Sequence, residues 1–311
     1  MSLVQVQRVI GRAIHNQVNR TAFELLVRDF PGLSPAERED LLAIPQQSLR
    51  AYQSDHYSAE ENMLAWGFTT SFFALEQLGF GTDSGSETSR EFVLRFRRSH
   101  PPLSHSVREM AELFVEFVKE DLASLVSSHP WLLELAEMER LEIQSLYGAD
   151  KPGGHIQKQD IAALFEKTVE ELFLVELMPA DGLHLMHPRH DLALIKSHLL
   201  ELMEEDKTLD PKLSLFAPLA QTTSMAVARH LEGLEPRWFD LDENEALVLG
   251  WAQKQDRLST EALIETWVQT REDREGAVAL PSEDILLAQA LSQLSTWLKR
   301  RYFLLAGDDS G

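Results

Sequence analysis

Cysteine is absent from this 311-residue chain, which removes disulfides, thiolate metal ligands and a cysteine nucleophile together. Long apolar runs are missing as well: no stretch approaches the ~18 residues that a bilayer-spanning helix needs. Positive charge is scarce, with 29 Lys and Arg against 50 Asp and Glu and a formal net charge of −21. Both halves share the deficit, 13 basic against 22 acidic residues up to Asp150 and 16 against 28 after it. A field of that sign repels phosphate backbones and suits basic or cationic partners. There is no phosphate-cradling Gly-rich loop, no HExxH pair and no GxSxG elbow, so nothing argues for catalysis by this chain alone. Acid itself is missing from the N-terminus, where Arg8, Arg12 and Arg20 precede the first carboxylate at Glu24. Organellar transit peptides loosely share that composition, but a first amphipathic helix of the domain accounts for it better, and we expect a cytoplasmic protein.

What is present is ordinary globular material, 44% hydrophobic and 25% charged, in a length that allows two domains with their own cores. The clearest organisation runs from His100 to Tyr147. Pro101 and Pro102 break the preceding helix. Ser106 with Glu109 matches a capping box, and Ser104 is a rival cap. Val107, Met110, Ala111, Phe114, Phe117, Val118 and Leu122 then recur at helical spacing, and Pro130 suits the first turn of the next helix. Leu132 to Leu146 continue the pattern.

Gly148 to Gly154, with Pro152 inside it, is the strongest boundary signal. We therefore expect a helical domain over 1–150 and an α+β domain with a small sheet over 155–311, predominantly α in total. Leu183–Met186 alternates briefly and suggests a strand. Ala246–Trp251, a short apolar run between acidic and polar neighbours, predicts another. Residues 207–240, interrupted by proline, read as irregular.

Residues with chemistry to offer are few. Arg90, Arg95, Arg97 and Arg98 crowd one short helix, which reads as a solvated or salt-bridged face because no groove-reading pattern accompanies them. His184, His187 and His190 repeat every three residues, but Pro188 interrupts any helix, and on a strand such steps would alternate faces. No metal is expected there. Arg140 and Glu142 lie among apolar positions, where a carboxylate needs a partner: an intrachain contact, or a docking surface.

Several of these landmarks together resemble a bacterial family that carries a DNA-binding label, the HvfC/BufC-type family. They are Leu49-Arg50-Ala51-Tyr52, the Phe72-Phe73 helix, His100-Pro101-Pro102 with Ser104, Leu135-Ala136 and Arg140-Leu141-Glu142. Leu183-His184-Leu185 with His187-Pro188, and Leu194-Ile195-Lys196-Ser197, complete the set. The resemblance spans roughly residues 20–270 through short motifs. It departs at Ile143, where the family often has tryptophan, after Phe73, where a proline is missing, and beyond Trp267, where the tail is longer.

The resemblance implies a non-catalytic partner protein that holds a ribosomally made precursor peptide and presents it to a multinuclear non-heme iron oxidative enzyme. No cofactor of its own, no nucleic acid and no membrane would be involved. A free sheet edge could take the peptide as an added strand, which nominates Leu183 and Leu185 on one strand and Leu247, Leu249 and Trp251 on the other. His100, Arg140, Glu142 and His187 are the docking candidates. Two other readings stand beside it: a DNA-binding transcriptional regulator, and a metal-dependent enzyme built on His184, His187 and His190.

Overall fold

The computed structural model describes residues 3–15, 18–81, 87–101, 106–148, 154–229, 235–275 and 281–306. Its fold is α+β and predominantly α, with fifteen α-helices and seven short strands among those residues. The chain forms two compact units: Met1–Ala136 with Lys196–Pro211, and Glu137–Ile195 with Lys212–Gly311. Most of the expected boundary, residues 149–153, lies outside the described residues, as does Ser104.

Helices α1 (Leu3–His15), α2 (Arg20–Asp29), α3 (Pro35–Leu42) and α4 (Gln46–Gly67) open the first unit. Their starts are written in the sequence. Asn19 accepts the Ala22 amide, and Ser34 and Glu37 form a reciprocal capping box with Pro35 in the first turn. Val9, Ala13, Phe23, Val27, Phe30, Leu33, Leu41 and Leu49 bury one cluster between these helices.

Four helices follow: α5 (Thr69–Gln77), α6 (Ser89–Ser99), α7 (Val107–Glu120) and α8 (Ala123–Ser128). Ser106 caps α7 through the Glu109 amide, as its spacing predicted. Their core is aromatic: Phe92 meets Phe72, Phe80, Phe114 and Phe117 with ring centroids 4.3–6.3 Å apart. Phe80 takes part although its φ of 53° is left-handed. A buried ring against two phenylalanines offsets that strain of about 1 kcal/mol.

Helix α9 (Trp131–Tyr147), just after Pro130, runs from the first unit into the second. Then come β1 (Gly154–His155), α10 (Lys158–Leu164), α11 (Val169–Phe173), β2 (Glu176–Pro179), β3 (His184–Met186) and α12 (Leu192–Glu204). The chain continues with β4 (Ser224–Arg229), β5 (Pro236–Leu241), α13 (Glu243–Ala252), β6 (Leu258–Ser259), α14 (Thr260–Glu275), α15 (Glu283–Lys299) and β7 (Phe303–Ala306). Two antiparallel sheets result, ordered β1-β7-β2-β6 and β3-β4-β5.

Two expectations need correction. Ala246–Trp251 is helical, inside α13, not a strand. Asp242 starts it: its carboxylate accepts the Glu245 amide at 2.7 Å while Glu245 accepts the Asp242 amide at 3.1 Å. An apolar run reads like a strand only if that acidic cap is passed over. Conversely, residues 207–240 are not irregular throughout, because they hold the β4–β5 pair. Met225, Ala226, Val227 and Ala228 are all buried, so β4 shows no polar alternation to read.

Candidate functional site

The three-stranded sheet is built around β4, which pairs on both sides. Register places His184 opposite Val227 and Leu185 opposite Ala226, and on the other side Trp238 opposite Val227 and Phe239 opposite Ala226. Side chains alternate across a strand, so the sheet has two distinct faces. Ala226, Ala228 and Leu241 enter the core of the second unit with Leu183, and Leu185 and Phe239 pack against it. Phe239 also meets the Tyr302 ring at 5.9 Å and carries the Arg300 guanidinium at 4.6 Å.

The opposite face is held to the end of α9. Trp238 Nε1 donates to Glu142 Oε1 at 2.8 Å. Arg229 Nη2 donates to the carbonyl oxygens of Leu146 at 2.7 Å and Gly148 at 2.6 Å. Those carbonyls have no partner within a helix, and a cation there also opposes the negative end of the helix dipole. Gly182 lies against the same turn, where a Cβ would come 3.1 Å from Ser145 O. Both faces are therefore occupied, and what remains are the two edges. Among the described residues no strand pairs with the outer side of β3 or of β5.

Each site residue named from sequence can now be placed. Leu183 is buried and Leu185 half-buried in the core, so only the backbone of β3 faces outward for pairing. Leu247, Leu249 and Trp251 do not share a strand face. On α13 they are 52% exposed, fully buried and half-buried respectively, and they form no edge. Arg140 does not meet Glu142. It grips Glu137 with Nε at 2.9 Å and Nη2 at 2.5 Å, leaving Glu142 to Trp238. His100 stacks on Phe96, meets Phe117 edge-on and places Nδ1 3.5 Å from Asp121. Those contacts account for three of the four docking candidates within the fold. His187 is the exposed one, with Nδ1 3.0 Å from Ser224 Oγ at the end of β3.

No family model matches this chain, and no curated protein matches it. The family resemblance therefore stands on its short motifs alone. Among the described residues no three His, Cys, Asp or Glu side chains gather where they could hold a metal ion. No described helix is long and apolar enough to cross a membrane.

The basic cluster on α6 is largely spent inside the first unit. Arg95 pairs with Glu87 and donates to Phe80 O, and Arg97 is buried against Glu60. Sequence reasoning missed Arg229 and Trp238, the two side chains that fix the sheet to α9. The only available signal was their position among small and aromatic residues, which a strand assignment for 224–229 would have needed first.

Proposed function

We propose that this chain is a non-catalytic partner subunit. It holds an extended precursor peptide on an open edge of the β3-β4-β5 sheet and presents it to a multinuclear non-heme iron oxidative enzyme. The observation that carries the peptide half is the β5 edge, a six-residue strand that among the described residues pairs on one side only, in a sheet whose faces are already packed. About half of its residues offer N–H and C=O groups to that free side, enough for roughly three main-chain hydrogen bonds. Exposed Arg237 and Asp240 flank half-buried Trp238 and Phe239, so side chains of both signs lie beside an added strand. The shorter β3 edge, ending at exposed His187, is the second place for it. The iron-enzyme half rests on the family resemblance, and the acidic surface favours a peptide with basic character.

Hydrogen exchange with a candidate precursor peptide, against a scrambled peptide of the same composition, tests the reading. Peptide should slow exchange at Pro236–Leu241 or His184–Met186 and leave α1 to α8 unchanged. Protection confined to those helices would overturn it.

A further inference from the structure

The first unit contains a concavity of about 350 Å³ at the starts of α2 and α4. Asn19 and Arg20 reach it from α2, Gln46, Arg50 and Gln53 from α4, and Arg90 from α6. No aspartate or glutamate lines it, in a chain with 50 acids against 29 bases. Neither helix carries an acidic residue in its first turn. Two positive helix ends therefore lie at the cavity without a carboxylate to offset them.

Its three arginines differ in what they are free to do. Arg20 is committed: Nε donates to Glu24 at 2.7 Å, Nη1 to Ile44 O at 2.6 Å and Nη2 to Leu42 O at 2.5 Å. Those bonds pin the start of α2 to the α3–α4 corner and make a fixed wall. Gln53 makes another, nine-tenths buried, with Nε2 donating to Ala13 O at 2.8 Å and Val18 O at 3.1 Å. Arg50 and Arg90 are exposed and pair with no carboxylate among the described residues. Arg90 is steadied instead by the Tyr57 ring, 5.6 Å from its guanidinium carbon.

We infer that this cavity binds a phosphate-type dianion, either inorganic phosphate or the phosphoryl group of a small phosphomonoester. Two unpaired guanidinium forks supply the matching charge and planar donors, and helix starts supply backbone N–H groups of the kind that hold phosphate. The volume lies at the small end of ligand cavities, which run from about 300 to 1,000 Å³. The site involves no residue of the β3-β4-β5 sheet, so it stands or falls apart from the peptide reading.

Isothermal titration of the full chain tests it, first with inorganic phosphate and then with glycerol phosphate, with sodium chloride holding ionic strength constant. Saturable one-site binding is expected. Arg50→Gln and Arg90→Gln should each weaken it at least about tenfold, the scale of one charged hydrogen bond. Arg98→Gln, which removes an exposed arginine of α6 outside the cavity, should leave it unchanged. Tight binding of both probes assigns a phosphomonoester, and binding of phosphate alone assigns the free ion. No saturable heat above chloride, equal binding of acetate, or equal loss in all three variants would overturn the inference.

Discussion

Glu60 of α4 and Arg97 of α6 meet with Nε 2.7 Å from Oε2, their side chains 5% and 0% exposed. Burial is the largest influence on both. It raises Glu60 to about 7 from 4.5 and lowers Arg97, in each case against the attraction of the partner. A carboxyl group with a raised folded pKa stabilises fully below its unfolded value and loses that contribution as pH rises through the folded one. From this group, thermal stability should therefore decline between about pH 4.5 and 7, and Glu60→Gln should flatten the decline. Arg97→Met strands a buried carboxylate, which costs roughly 3–5 kcal/mol when it is ionised. The loss should be smaller at acidic pH, where Glu60 takes up a proton, and the double variant Glu60→Leu/Arg97→Met should recover much of it. Melting curves at about pH 5 and pH 8 separate these outcomes; an Arg97→Met loss that is the same at both would refute the account. A buried Arg–Glu pair is invisible to helix periodicity, since both positions simply interrupt an apolar stripe.

At the scale of elements, α13 shows where a sequence signal was present and overruled. Ala246 to Trp251 is apolar almost throughout, because α13 buries most of its circumference, and Ala246, Val248, Leu249 and Ala252 are all buried. Neither period can be read from such a run. The capping box of Asp242 and Glu245 was legible and is what decides. Helix and strand make opposite statements about two leucines. A strand would put Leu247 and Leu249 on one face; the helix leaves Leu247 52% exposed and Leu249 fully buried. Leu249→Ala should then destabilise the protein by about 2–5 kcal/mol, and Leu247→Ala by no more than roughly 0.5 kcal/mol. Equal effects in chemical denaturation would argue for the strand. The short β3 was legible from the brief apolar–polar alternation of Leu183, His184 and Leu185 in the sequence, whereas β4 was hidden by four consecutive buried residues.

For the whole molecule, caps such as Ser106 and apolar stripes such as that of α7 were readable, so the predominantly α character with a small sheet portion follows from local pattern. What local pattern could not supply is which distant residues meet. Arg20, Arg50 and Arg90 share a cavity, and Glu142 meets Trp238, across separations that no window spans. The same limit governs the DNA-binding reading. A tally of Arg90, Arg95, Arg97 and Arg98 suggests a basic patch, yet Arg95 and Arg97 pair with Glu87 and Glu60. Duplex binding by charge draws on about 6–10 phosphate contacts and weakens steeply with salt. The chain carries a net charge of −21, and the concavity that Arg50 and Arg90 line is too small for a duplex. We therefore expect no measurable affinity for duplex DNA at physiological salt. Fluorescence anisotropy with a labelled duplex, repeated from about 50 to 200 mM salt, is the measurement. A micromolar affinity that falls steeply across that range would mean that enough arginines remain free to build a phosphate-binding face, and it would restore the regulator reading.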